Sequence, residues 1–169
     1  DAIANQVRQL AYSNPFCDMA NVTAIELCAK LASLAPGDLD HVFLTTGGST
    51  AVDTAYRLVQ FYQNSRGKHE KAADRAPEFD FMSDLFHHIS CPNYYRAPAG
   101  MSEAQFLDFL VDEFEDKILT IGADKVAAFF AEPIMGSGGV IIPPKGYHRR
   151  MWEVCQRYDL LYVADEVVT

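Results

Sequence analysis

Positive charge is scarce in this chain. Its 169 residues carry 14 lysines and arginines against 23 aspartates and glutamates, for a formal net charge of -9. Nucleic-acid surfaces gain affinity by displacing counterions with a basic patch, so this balance argues against a nucleic-acid partner. Long apolar runs are missing as well, since none approaches the roughly 20 residues that a membrane-spanning helix needs. No basic segment followed by an apolar stretch and a small-residue cleavage site is present either. The four cysteines (Cys17, Cys28, Cys91, Cys155) are scattered without a CxxC pair. That predicts reduced thiols in a cytoplasmic protein rather than a disulfide or zinc framework. The adjacent His87 and His88 would point to opposite faces of an extended segment, so no metal site is expected there. Asp1 is not an initiator methionine, and the chain stops at Thr169 just after two acidic residues. Both ends predict a piece of a longer protein.

What is there suits a globular domain: 49% hydrophobic and 22% charged residues, with enough length for one real core. Ile3, Val7, Leu10 and Ala11 have helical spacing, and Asn14-Pro15 breaks that pattern. A second helix is expected to start near Thr23, where Thr23 and Glu26 fit a capping box and Ile25, Cys28, Leu31 and Ala32 share a face. Pro36-Gly37-Asp38 ends it. Residues 41–45 (HVFLT) read as a strand, followed by the turn Thr46-Gly47-Gly48-Ser49-Thr50 and a helix over residues 51–62 that presents Ala55, Leu58, Val59 and Tyr62. Periodicity fails over residues 64–84. It returns with a capping box at Ser102 to Gln105 and a long helix presenting Leu107, Leu110, Val111, Phe114 and Ile118. Residues 126–131 (VAAFFA) suit a strand buried on both faces. A flexible loop over 135–139 and an extended 140–142 follow. A helix over 147–158 is expected to bury Met151, Trp152, Cys155 and Tyr158, and residues 160–164 (LLYVA) form a last strand before Asp165-Glu166. Strands alternating with helices predict an α/β domain around a mainly parallel sheet.

Ligands of open α/β sheets bind beyond the carboxyl ends of the strands, and two such ends carry unusual residues. The glycine turn lets a backbone approach a phosphate, and the helix after it offers unpaired N–H groups. The same residues also make a tight strand-to-helix turn with Ser49 or Thr50 as its cap. Asp165, at the end of an apolar strand, asks for a cationic partner. A protonated pyridine nitrogen is one; an ordinary turn or helix cap is the alternative. The acidic strand end also looks like the magnesium-binding strand of a P-loop NTPase, but the glycine turn has no lysine, and GxxxxGK[ST] and GxGxxG are both absent.

Taken together, these segments resemble class III aminotransferases, the omega-amino-acid or amine:pyruvate kind, of pyridoxal-phosphate (PLP) fold type I. Thr45-Thr46-Gly47-Gly48-Ser49-Thr50-Ala51 resembles the family's phosphate turn. Residues 131–140 resemble its Glu-Pro segment, and residues 162–167 its strand ending in a ring-binding aspartate. The resemblance implies a three-layer domain, residues 1–169 being part of the large cofactor-binding domain. It further implies pyridoxal 5'-phosphate as cofactor, with Gly48 and Ser49 on the phosphate and Gly47 shaping the turn. Asp165 would pair with the ring nitrogen, and Val167 would pack on the ring. Glu132 would lie toward the substrate, opposite an arginine beyond Thr169; a plain strand-end carboxylate is the other reading. The implied activity is amino transfer from a primary amine or omega-amino acid to a keto acid such as pyruvate, in a cytoplasmic homodimer. The pattern departs from the family in three places. Thr50 replaces a glutamate, Gly47 commonly stands as serine, and the aromatic-His-Gly segment is not found, as if some residues were missing near residues 68–74. The Schiff-base lysine also has no matching context among Lys30, Lys68, Lys71, Lys117 or Lys145. Taken literally, that leaves an inert fragment or a PLP-binding scaffold as the alternative.

Overall fold

The computed structural model describes residues 1–14, 20–71 and 85–169. Cys17 and the end of the suspected seam, residues 72–74, lie outside them. The chain divides into two compact units, Asp1–Thr46 and Gly47–Thr169.

The first unit holds helices α1 (Ala2–Gln9) and α2 (Val22–Leu34) and buries none of its described residues. Helix α2 begins one residue before the expected Thr23. The side chain of Asn21 accepts the Ala24 amide at 2.8 Å and so caps the helix. Thr23 donates its hydroxyl to Gln6 instead. Residues 41–45 form no strand: β-branched and aromatic residues favour extended structure only where a neighbouring strand pairs with them, and none of the described residues does so here.

The second unit contains α3 (Gly48–Ser65), α4 (Glu103–Ile121), β1 (Ala128–Ala131), α5 (Tyr147–Arg157) and β2 (Leu161–Ala164). Helix α4 starts with the expected reciprocal capping box, in which Ser102 accepts the Gln105 amide and Gln105 accepts the Ser102 amide. Its buried stripe is the expected one with Phe106 added. In α5 the buried side chains are Tyr147, Met151, Val154 and Cys155, whereas Trp152 is half exposed. The inward face is therefore rotated toward Val154 from the expected one. Helices α4 and α5 form the core with Leu160.

Strands β1 and β2 pair in parallel, Ala128 opposite Leu161 and Ala131 opposite Ala164. Alternate residues of a strand face opposite sides. Phe129 and Tyr162 point to the α4–α5 core, where Phe129 meets Phe114 at 4.6 Å between ring centres. Phe130 and Val163 point the other way, toward α3. The arrangement is the expected α/β fold in three layers: α3, a parallel sheet, and the α4–α5 pair.

The amino ends of both strands are tied by buried polar side chains. Lys71 donates Nζ to the carbonyl oxygens of Val126 (2.8 Å), Asp159 (3.2 Å) and Tyr158 (3.3 Å). Gln63, fully buried on α3, donates to Ala127 at 3.2 Å. Val59 and Gln63 are thus the buried residues of α3, whereas Leu58 and Tyr62, expected inward, are exposed.

Candidate functional site

At the opposite, carboxyl end of the strands lies a cavity of about 330 Å³ between α3 and the sheet. Its walls are small or apolar: Ala51, Val52 and Ala55 from α3, and Phe130 and Val163 from the strands. Ala51 and Ala55 fall one helical turn apart, so they line one strip of the helix. Gly48, at the first turn of α3, and residues 164–167 after β2 close the mouth.

Three of the residues singled out in the sequence therefore share this cavity: Gly48, Asp165 and Val167. Gly47 and Ser49 sit beside it, as the N-cap and second residue of α3. The N-cap, Gly47, has no side chain to cap the helix with, and Thr50, one candidate cap, donates its hydroxyl to the Gly47 carbonyl at 2.7 Å. The first-turn amides, those of Gly48 and Ser49 among them, have no partner within the helix, and its dipole adds a partial positive charge there. Gly48 cannot be larger without movement. A Cβ built on it would stand 2.8 Å from Val167 Cγ2.

Asp165 follows β2, its amide donating to the Ala131 carbonyl at 2.9 Å as the last rung of the ladder. Its Oδ1 accepts the Val167 amide at 3.2 Å. The side chain is half-buried, at the cavity mouth, and not sealed in the apolar interior that the strand pattern suggested. Glu132 occupies the matching position after β1, outside the cavity lining, and its Oε2 accepts the Gly136 amide at 3.1 Å. That bond pins the loop that turns back through the Met135–Ile141 bridge. Gly136 is itself a close approach, because a Cβ there would lie 2.5 Å from Val168 Cγ2.

Among the described residues no lysine lines the cavity and no cluster of side chains could hold a metal ion. None of the described helices is long and apolar enough to cross a membrane. The described cysteines, Cys28, Cys91 and Cys155, are free thiols.

Residues 76–169 match the family model for aminotransferase class-III. This chain is a class-III aminotransferase sequence. It is 34% identical to the putrescine–pyruvate aminotransferase of Pseudomonas aeruginosa, an alignment that covers 99% of this chain and 41% of that protein. It is 33% identical to a probable mitochondrial gamma-aminobutyrate transaminase of rice, covering 99% of this chain and 39% of the relative. Among solved structures, the omega-transaminase of Pseudomonas jessenii in complex with PMP superimposes with a TM-score of 0.90 at 35% identity, over 99% of this chain and 42% of that one. The chain thus spans about two fifths of the length of the relatives it matches. The P. aeruginosa alignment runs over 189 positions against 169 residues here, so at least 20 positions have no counterpart in this chain. Ala51 and Ala55, like Val52, Phe130 and Val163, line the cavity without having been singled out in the sequence as site residues. Their spacing on α3 was the available signal, but it also suits ordinary helix packing.

Proposed function

We propose that this chain is the cofactor-gripping part of a PLP-dependent transaminase, which moves an amino group from a primary amine or omega-amino acid to a keto acid such as pyruvate. One observation carries the reading: the glycine start of α3 and the acidic end of β2 open into a single cavity. The donor set fits the cofactor at both ends. First-turn amides and a glycine whose bare backbone faces the cavity suit a phosphate, and a carboxylate with one weak partner suits a pyridinium. When bound, PLP supplies an electron sink for the amine substrate. Gly48 and Ser49 hold its phosphate by their backbone N–H groups, and Gly47 shapes the approach. Asp165 keeps a proton on the ring nitrogen, and Val167 covers one ring face. Glu132 stands on the substrate side.

The names of the relatives support a diamine or 4-aminobutyrate as donor and pyruvate as acceptor. Among the described residues no lysine lines the cavity, and Lys71 is engaged at the far end of both strands. We place the missing alignment positions at the seam near residues 68–74, where the family carries a ring-stacking segment. The homodimer and the cytoplasmic setting implied by the resemblance belong to the same proposal.

The test is to incubate the purified protein with PLP, reduce with borohydride, and locate any adduct by peptide mass spectrometry. Alanine formation from pyruvate and an amine donor is followed in parallel. A lysine adduct together with alanine formation is expected. PLP that is bound but never trapped, with no alanine formed, would instead make the protein a binding scaffold.

A further inference from the structure

Behind the sheet, on the face away from the cavity, His148 joins Tyr162 of β2 to Pro133, two residues past the end of β1. Its Nε2 lies 3.0 Å from the Pro133 carbonyl oxygen and its Nδ1 2.6 Å from the Tyr162 hydroxyl. A carbonyl only accepts, so Nε2 carries the hydrogen. In the neutral ring Nδ1 is then the acceptor, and Tyr162 donates to it. Burial, with a smaller contribution from Cys155, pushes the Tyr162 phenol up to about 12, so it keeps the proton it donates. The imidazole also meets Tyr147 and Tyr162 edge to face, at 5.1 and 6.4 Å between ring centres. Donor, acceptor and two ring walls fix its orientation.

The position of this bridge gives it a consequence. The backbone ladder ends at the Asp165 amide and Ala131 carbonyl. Beyond that rung no strand pairing holds Glu132 against Asp165. Pro133 follows Glu132 directly, and Tyr162 precedes Asp165 by three residues on a continuous strand. His148 therefore ties Pro133, just past the last backbone rung, back to Tyr162 within the ladder. We propose that His148 is a positioning residue that sets the spacing between Glu132 and Asp165, acting through Tyr162 and Pro133 without touching the cavity. Its role in cofactor binding rests on the PLP reading; its structural part does not.

Two measurements separate these. Amide hydrogen exchange in the full chain is compared between the wild type and His148→Ala, Tyr162→Phe and the double variant. Exchange is expected to rise by roughly tenfold at Asp165 and Gly136, whose amides close the two strand ends, while Leu161 at the far end of β2 is unchanged. The double variant should be no faster than His148→Ala alone, because without the ring Tyr162 has nothing to hold. His148→Gln, which keeps a donor for the Pro133 carbonyl, should recover part of the protection. Uniform acceleration over both strands, or additive effects of the two substitutions, would overturn the proposal and leave His148 an ordinary packing residue. Equilibrium dialysis with PLP is the second readout, and roughly three- to tenfold weaker retention is expected in the single variants. Wild-type retention that the variants leave unchanged would overturn the cofactor role. No retention by the wild type, with the selective exchange pattern intact, would sink the PLP reading and leave the strand-end bridge standing.

Discussion

Replacing Gly48 with alanine separates the packing of this site from its chemistry. The new methyl carbon would stand 2.8 Å from Val167 Cγ2, about 1 Å inside ordinary carbon–carbon contact. Overpacking costs about 1–3 kcal/mol. The low end applies, because Val167 is 65% exposed and has room to swing away. Alanine also returns up to about 1 kcal/mol of helix propensity relative to glycine. The folded chain should therefore lose no more than about 1–2 kcal/mol. Cofactor binding is a different matter, since the methyl sits where a phosphate needs the bare backbone. A loss of at least tenfold in PLP affinity is expected, about 1.4 kcal/mol. Thermal unfolding reads the first effect and equilibrium dialysis the second. Adding Val167→Ala removes the clash and should restore the melting temperature, but PLP should still bind poorly. PLP affinity within twofold of wild type in Gly48→Ala would refute the phosphate assignment. Full recovery of affinity in the double variant would make the clash the whole cause.

Other consequences are simpler to check. Met151 is fully buried between α4 and α5, so Met151→Ala should cost about 2–5 kcal/mol in denaturant unfolding. Burial pushes the Cys155 thiol up to about 12, whereas Cys91 is exposed, so an alkylating reagent near neutral pH should modify Cys91 and spare Cys155 until the chain unfolds. The amine of Lys71 is held below its ordinary 10.5, by burial first and then by Lys68 and Arg66. Between the lowered value and 10.5 the unfolded chain binds more protons, so this group's contribution to stability rises with pH across that window and is constant, at its least favourable, below it. The stability difference between wild type and Lys71→Met, from urea unfolding at several pH values, should shift in favour of the wild type as pH approaches 10.5. A flat difference would mean that Lys71 titrates normally.

Helix α4 was legible almost residue by residue, because a capping box and a full apolar stripe are local signals that agree. At helix α2 the sequence pointed to Thr23 as the cap, but Asn21 takes the role, because its side chain meets the Ala24 amide. The face of α5 was less readable. Met151, Trp152, Val154 and Cys155 are all apolar, and only the docked partner α4 decides that Val154 goes in and Trp152 stays out. Residues 41–45 show the limit most plainly, since a strand exists only by pairing and composition cannot supply the neighbour. At the site, each motif could be read by itself. That Gly48 and Asp165, 117 positions apart, face one cavity follows from the parallel pairing and the layer order. Nothing local marked His148, whose partners Pro133 and Tyr162 lie on other elements.

The alternation of the two short strands has an evolutionary consequence. Phe129 and Tyr162 serve the core, and their immediate neighbours Phe130 and Val163 serve the cavity. Drift at the second pair can reshape what the pocket accepts while the first pair keeps the protein folded, so specificity and stability can diverge along a lineage almost independently. Insertions have no such freedom. One extra residue within either strand would exchange the two duties at once, setting core side chains in the pocket and pocket side chains in the core. Related sequences should accordingly vary by substitution at residues 130 and 163 and keep the length of both strands fixed.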